Sequence, residues 1–491
     1  MGVRARALLC FQPVSGALAR LPRTVASVAS LAGICLLGIA VIAYDKLTPF
    51  PGFAALLPCL GAALIIAAGE GGPSIGGRIL SLRPLVWIGL ISYSLYLWHW
   101  PILLLAPTLL GHLLGLGERL TAAAVSGVLA VLTLCLIENP IRFAAPLRRS
   151  ALRSLAVGAL ATAAAVCVSI ALLIAIPAPI GRGLATQTLA ITEGPPQVGA
   201  TIDQYNAVVQ HDFAQVQAAV AASADLDDVP ANLDPSLAKA PGEDERLSFN
   251  GCMRESLEVG QPECAMGDTA SPTTVALIGD SNAAMWTPGF QQAAAHRHWR
   301  LELLAKAACP MLDLFTWNPV AEREYTECDQ WRAEIIARLQ SEHPKLIVYS
   351  VSRAYHYSTV TSYNAAWLDS MTRFVQRLRG TGAQVLVLGK IPAPQSEVPT
   401  CLSVHLDHAT ACSPLRSVAV NDPGIAAETT AVKAGGGQYA DLTKLFCTAE
   451  RCPAIVGDTL VYFDESHVTF EYCRLLAPVL GALADRALIQ R

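Results

Sequence analysis

Five uncharged, apolar runs follow one another in the first third of the chain, and nothing constrains its fold more. They cover residues 25–44, 51–69, 84–117, 120–137 and 154–176. A helix that crosses the hydrocarbon of a bilayer needs about 20 mostly apolar residues. A buried globular helix accounts for one such run but not for five in series. Residues 1–180 therefore read as a multi-pass α-helical membrane domain of about five helices.

Charge divides the chain at the same place. Residues 1–180 hold 12 Lys and Arg against 4 Asp and Glu, and the remainder holds 23 against 35. Charged residues are only 15% of the whole, where a soluble domain has about 25%. A basic apolar part joined to an acidic part of ordinary composition reads as a membrane domain followed by a water-soluble one. The acidic part would be repelled by phosphate, so nucleic acid is excluded as a partner. With the N-terminus inside and sides alternating, the inside segments carry Arg4, Arg6, Arg20, Arg23, Arg78, Arg83, Arg142, Arg148, Arg149 and Arg153. The outside segments carry Lys46, Arg119 and Arg182. This asymmetry predicts a cell-membrane protein whose C-terminal part is extracytoplasmic. Residues 7–19 have the basic flank of a signal peptide, but Gln12, Pro13 and Ser15 interrupt their apolar region, so they read as part of the membrane domain.

Fourteen cysteines agree with that placement. Cys10, Cys35, Cys59, Cys135 and Cys167 lie in the apolar part and behave as small hydrophobes. Eight others fall into close pairs along the chain: Cys252 with Cys264, Cys309 with Cys328, Cys401 with Cys412, and Cys447 with Cys452. Eight cysteines allow 105 connectivities, and neighbour pairing is only the first guess. Zinc is the rival, but there is no Cys-x2-Cys and no Cys pair with a His pair at finger spacing. Disulfides in an oxidising compartment are expected, with no metal. Cys473 is left over.

Residues 181–250 read as a Pro-rich connector around one amphipathic stretch, 208–222. From residue 251 onward, short apolar strands (275–279, 301–305, 345–350, 384–389) alternate with helical patterns (283–296, 330–340, 362–378, 472–487). The last of these includes Pro478, a point for a kink. That alternation predicts a three-layer α/β domain over 251–491, with a parallel sheet between helices.

Two local features carry chemistry. In Leu277-Ile-Gly-Asp-Ser-Asn282 a serine ends the first strand and begins the first helix. The carboxyl end of a parallel strand is where α/β folds bind ligands, and a helix N-terminus favours developing negative charge. Alone, Ser281 is equally well a helix cap. In Phe463-Asp-Glu-Ser-His467, Asp464 lies three residues before His467, close enough to orient the imidazole and leave Nε2 free as a base. Alone, this is an ordinary polar loop. Together they supply a nucleophile (Ser281), a base (His467) and an orienting carboxylate (Asp464).

This order resembles the SGNH hydrolase-like family, with Gly-Asp-Ser early and Asp-x-x-His late. The resemblance covers about 252–491 and includes Gly279-Asp-Ser-Asn-Ala-Ala-Met-Trp and Ala308-Cys-Pro. In the apolar part, Gly89-Leu-Ile-Ser-Tyr-Ser-Leu-Tyr-Leu-Trp-His-Trp-Pro101 and Ile137-Glu-Asn-Pro-Ile-Arg142 resemble the late helices of the membrane acyltransferase-3 family. A subgroup of that family carries an SGNH domain after its membrane domain. The resemblance implies O-acyl transfer, acetyl in particular, to a cell-surface or secreted glycan. Acetyl-CoA is the implied donor and the bilayer the setting, with no bound cofactor. It also implies neighbour pairing of the eight cysteines. The same triad would serve a carbohydrate O-acetyl esterase, and a third reading is a non-catalytic remnant.

Two departures from the pattern shape further expectations. The family's membrane domain has about ten helices, so Met1 reads as a start inside a domain, with a separate chain as one source of the rest. The third strand, Val348-Tyr-Ser-Val-Ser-Arg-Ala-Tyr355, lacks the usual oxyanion Asn. Ser352 or Arg353 stands in its place, and these two join Gly279, Asp280 and Asn282 as candidate oxyanion or substrate residues. A weaker oxyanion hole costs several kcal/mol of transition-state stabilisation. His99, between two tryptophans, reads as an interfacial belt residue. Glu138 and Arg142 are spaced to pair on a helix, which Asn139-Pro140 is expected to end. His296, His298, His405 and His408 read as surface residues.

Overall fold

The computed structural model describes residues 22–44, 48, 52–70, 74–110, 114–175, 179–192, 194, 199–357 and 360–489. The chain forms two compact units, Met1–Ile176 and Pro177–Arg491. Arg4, Arg6, Arg20, Lys46, Cys10 and the 7–19 stretch lie outside the described residues.

The first unit is helical: α1 (Arg23–Ala43), α2 (Leu56–Glu70), α3 (Arg83–Leu110), α4 (Leu116–Thr133) and α5 (Ala151–Ala175). Among the described residues four helices are long and apolar enough to span a bilayer, and the stretch Phe53–Gly69 is shorter. The shortening has a local cause: after Gly52 the chain makes a 3-10 turn, Phe53–Ala55, before α2 begins. α1 and α2 cross closely, since a Cβ on Gly33 would lie 2.6 Å from the Gly61 carbonyl oxygen. Small residues at such a crossing are how lipid-embedded helices gain packing contact.

The expected stop at Asn139-Pro140 does not occur. α4 passes through a π-helical turn, Leu134–Glu138, and continues as Asn139–Phe143. The wider turn lets the Asn139 N–H reach the Leu134 carbonyl, so the ladder absorbs a proline that cannot donate. Glu138 then meets Arg142 at 3.4 Å and accepts from Ser94 Oγ at 3.3 Å. His99 Nδ1 sits against the Tyr96 carbonyl of its own helix at 2.8 Å.

The second unit opens with α6 (Ile202–Ser223) and two short strands, β1 (Met253–Arg254) and β2 (Ala265–Gly267). There follow β3 (Thr274–Gly279), α7 (Ser281–Ala284), α8 (Thr287–Arg297), β4 (Arg300–Lys306), α9 (Thr326–Glu342), β5 (Leu346–Ser350), α10 (Ala365–Arg379) and β6 (Gln384–Leu388). The unit closes with α11 (Asp422–Ala434), β7 (Gln438–Ala440), α12 (Phe470–Leu475) and α13 (Ala477–Ile489). The seven-stranded sheet runs β1-β4-β3-β5-β6-β7, parallel throughout, with β2 antiparallel on β4.

Period-two alternation sorts each strand between two cores. Val275, Leu277, Leu346, Val348, Leu386 and Leu388 face the layer of α6, α8 and α13. Ala276, Ile278, Ile347, Tyr349, Val385 and Val387 face the layer of α9 and α10. The result is the three-layer α/β architecture expected. Both long terminal patterns are interrupted. The first helix breaks at Trp286, before Pro288, and the last at Leu476, before Pro478. Proline is accepted in a first turn, where no N–H is needed.

The expected connector 181–250 is instead built into this unit. Val209, Val216 and Val220 of α6, which packs on α13, join the core, and Leu189, Val229, Leu233 and Leu237 belong to the same cluster. Isolated bridges tie Gly183 to Pro230 and Asp234 to Thr459. Its prolines mark turns between buried anchor points, so composition alone mistook a folded wrap for a linker.

The eight paired cysteines are joined as neighbours. Cys252 is bonded to Cys264 with a Cα separation of 5.7 Å, and Cys309 to Cys328 at 5.5 Å. Cys401 is bonded to Cys412 at 5.9 Å, and Cys447 to Cys452 at 4.0 Å. None of the eight belongs to the chemistry of the site. Cys264, Cys328 and Cys452 are buried in the cores, where each fastens a loop or helix start to the sheet unit. Among the described residues, one cluster has metal-like proximity: Cys401, His405 and Cys412. Its two sulfurs form a disulfide, which leaves a single imidazole. Cys473 is buried and unpaired, and its sulfur accepts the Gly289 N–H at 3.2 Å.

Candidate active site

The carboxyl edge of the sheet gathers the chemistry. β3 ends at Gly279, where φ is +147° and a Cβ would lie 1.8 Å from the Ser350 carbonyl oxygen. Only glycine fits that approach of β3 to β5. Asp280 caps α7, its Oδ1 accepting the Asn282 N–H at 2.9 Å. Ser281 is therefore the first helical residue. Its N–H has no intrahelical acceptor and no protein acceptor among the described residues.

The loop before α12 delivers the base from the other end of the unit. His467 Nε2 lies 2.8 Å from Ser281 Oγ, and His467 Nδ1 lies 2.6 Å from Asp464 Oδ2. Ser281 and His467, 186 positions apart in the chain, are thus brought into one hydrogen-bonded relay. Asp464 Oδ1 also accepts the backbone N–H groups of Ser466 and His467, each at 2.6 Å. Burial by itself raises the Asp464 pKa, but His467 and these two N–H groups outweigh it, and the pKa ends below the usual aspartate value. A carboxylate held ionised at Nδ1 stabilises the imidazolium formed when Nε2 takes a proton. Phe463 stacks on the imidazole, ring centroids 5.3 Å apart and planes 8° from parallel.

Three of the candidate oxyanion or substrate residues serve other ends. Asp280 is 1% exposed. Its carboxylate accepts the Ser352 N–H at 2.9 Å, the Asn282 N–H at 2.9 Å and the Tyr355 hydroxyl at 2.6 Å. Burial raises its pKa against the pull of those donors. An acceptor sealed in this way cannot stabilise an oxyanion, and it works as the tie between β3 and the chain after β5. Arg353 is buried against Glu428, Nη2 to Oε2 at 2.9 Å, and also donates to the Val351 and Leu388 carbonyls. It is a fully buried, paired cation beneath the edge. Ser352 spends its N–H on Asp280, and its Oγ accepts the Ala354 N–H at 3.2 Å. The Asn282 N–H is likewise taken. Of the backbone donors named from sequence, Ser281 N–H remains for an oxyanion.

The sequence missed Tyr355, Phe463 and Ser466, whose Oγ lies 3.0 Å from His467 Nδ1. Each adjoins a motif, but nothing in residue type marks which way it points. It also missed Glu397, on the loop after β6. Its pKa is raised by partial burial and by the neighbouring charges of Asp464, Glu465 and Asp244. The rim beside His467 is thus acidic.

Comparison with known proteins agrees with both units. The acyltransferase domain family matches residues 11–138, and the family described as the SGNH domain fused to acyltransferase-3 domains matches residues 251–482. The chain's two regions thus carry, in order, an acyltransferase-domain match and a match to the SGNH domain that is fused to such domains. Its first unit is accordingly a membrane domain. A putative peptidoglycan O-acetyltransferase of Bacillus subtilis is 34% identical over 111 residues, 22% of this chain and 17% of the relative. A peptidoglycan O-acetyltransferase of Listeria monocytogenes is 39% identical over 66 residues, 13% of this chain and 11% of the relative. The matches thus take in less than a fifth of each relative's own length. Among solved structures, the periplasmic domain of a Salmonella Paratyphi A lipopolysaccharide acetyltransferase is 15% identical, with a TM-score of 0.40, over 50% of this chain and 94% of that one.

Proposed function

We propose that this protein transfers an acetyl group to a hydroxyl of a cell-surface or secreted polysaccharide, with the Ser281 unit outside the membrane. The observation that carries the reading is the relay Ser281–His467–Asp464, with contacts of 2.8 and 2.6 Å. Ser281 Oγ attacks the acyl carbonyl while His467 Nε2 takes its proton, and the Ser281 N–H receives the negative charge that develops on the carbonyl oxygen. Collapse releases the donor's leaving group, which takes the proton from His467. A sugar hydroxyl then attacks the acetyl-serine, passing its proton to His467. The new ester leaves and Ser281 recovers its hydrogen. Acetyl-CoA on the inner side is the donor class this reading supposes, and the membrane helices would deliver the acyl group. The disulfides and the Arg-rich inner segments support the outward placement.

Water in place of the sugar gives an esterase by the same steps, and the attached membrane domain favours transfer over that second reading. The test is made on the full chain in detergent, with a chromogenic acetyl ester as donor and an oligosaccharide as acceptor. Mass spectrometry should show acetylated sugar. Ser281→Ala should abolish both transfer and ester cleavage. Equal turnover by the Ser281→Ala chain would overturn the assignment, and cleavage without any sugar acetylation would favour the esterase.

A further inference from the structure

On the edge that bears Ser281, a polar groove of about 670 Å³ opens beyond β6. Lys390, Gln395, Ser417 and Asn421 are among its walls. Two strand spacings separate β6 from β3, with β5 between them, a lateral distance of roughly 10 Å. The loop that carries Lys390 and Gln395 runs on to Glu397, whose carboxyl feels the charges of Asp464 and His467. Groove and triad therefore share one loop and one edge, at a spacing a short oligosaccharide spans.

The groove's cations are not alike. Arg416 is held by Asp422 in a two-pronged pair at 2.8 and 2.6 Å. Arg353, beneath the floor, is held by Glu428. Lys390 is partly buried, and among the described residues its Nζ has neither a carboxylate nor a hydrogen-bond acceptor. Burial, and after it the Arg353 guanidinium, push its pKa below the usual lysine value. A withdrawn ammonium beside a like charge is costly unless an anion joins it. At the other end of the loop the sign reverses, because Glu397, Glu465 and Asp464 repel an anion from the reacting serine.

We propose that Lys390 receives a carboxylate of the acceptor, so that the polysaccharide acetylated here is an acidic one. This rests on the glycan-acceptor reading above. The two ends of the loop then set direction: the acceptor's charge is drawn to Lys390 and kept away from His467, and a neutral hydroxyl of a neighbouring sugar comes to Ser281 instead. Specificity arises from attraction at one point and repulsion at the other.

The test is a binding measurement on the full chain carrying Ser281→Ala, so that it does not depend on turnover. The probes are trigalacturonate, its carboxyl-reduced trimer and inorganic phosphate. Trigalacturonate should bind about tenfold tighter than the reduced trimer, the factor that corresponds to about 1.4 kcal/mol, and added salt should erode the difference. Lys390→Met should remove the preference and Lys390→Arg should retain most of it. Phosphate should compete only weakly if the site needs the sugar as well as the charge. Equal binding of the two trimers by the Lys390-bearing chain would overturn the proposal even if Lys390→Met failed to fold. So would a preference that survives Lys390→Met. Phosphate binding as tight as trigalacturonate would replace the glycan with a free anion. Failure of the acetyl-transfer reading would appear separately, as loss of Ser281-dependent acetylation while the trimer preference persists.

Discussion

The Tyr355 hydroxyl donates to Asp280 Oδ2 at 2.6 Å, which fastens the chain beyond β5 to the residue immediately before the nucleophile. Both groups are buried. Tyr355→Phe deletes one donor to a buried carboxylate, a loss of about 1.5–3 kcal/mol. Denaturant unfolding of the second unit should show it. Turnover of a small acetyl ester should fall as well, by up to about 10²-fold for an ångström's displacement of Ser281. Full activity with full stability would show that the tie is dispensable.

Asp464→Asn preserves shape but removes the charge that holds His467 in its working tautomer. Ester cleavage should drop on the order of 10³–10⁴-fold, with little change in the unfolding midpoint. Ser281→Ala should do the same to activity and cost about 1 kcal/mol or less, since Asp280 and not Ser281 is the helix cap. A tenfold effect or smaller from Asp464→Asn would remove the carboxylate from the relay.

Native thiol labelling should find no reactive cysteine in residues 177–491. Cys252 and Cys264, Cys309 and Cys328, Cys401 and Cys412, and Cys447 and Cys452 are bonded to each other, and burial pushes the Cys473 thiol up to about 12. After denaturation without reductant one thiol should label, and peptide mapping should place it at Cys473. Label on any of the other eight under those conditions would contradict the pairing.

Stability should respond to pH through Glu243. Burial, and then its hydrogen bond with Glu471, raise the Glu243 carboxyl from 4.5 to about 8. The folded chain thus binds this proton more tightly than the unfolded one. Its contribution is complete below about pH 4.5 and is lost as pH climbs towards 8. Glu243→Gln keeps a donor towards Glu471 and an acceptor for the Phe470 N–H at every pH. Its thermal midpoint should match the parent near pH 4.5 and exceed it at pH 8. A difference of the same size at both values would rule out the titration.

Much of this was legible because periodicity and spacing report burial and reach. Strands at 275–279, 301–305, 345–350 and 384–389 appear within a residue or two, since each is a short, mostly apolar run bounded by polar residues, Glu302 being the charged exception within the second. Asp464 and His467 were legible because three residues is the span over which a carboxylate reaches an imidazole in a turn. Asp280 and Arg353 were not, because a sequence gives a charge but not its direction. Asp280 turns away from the edge to receive Tyr355, and Arg353 turns under it to meet Glu428, 75 residues away. The wrap at 181–250 was hidden for a related reason. Outside α6, whose helical period was legible, its buried residues Leu189, Val229, Leu233 and Leu237 follow no helical or strand period, so only their place in the core reveals them.

Every disulfide described in the second unit joins a cysteine to the next one along the chain, across 12, 19, 11 and 5 residues. A chain that meets an oxidant from its N-terminal side exposes each partner directly after the last. The first thiol of every couple finds its mate before any stranger arrives, and the odd cysteine emerges when all the others are already taken. Order of emergence thus encodes connectivity, and one arrangement out of about 105 needs no shuffling to be reached.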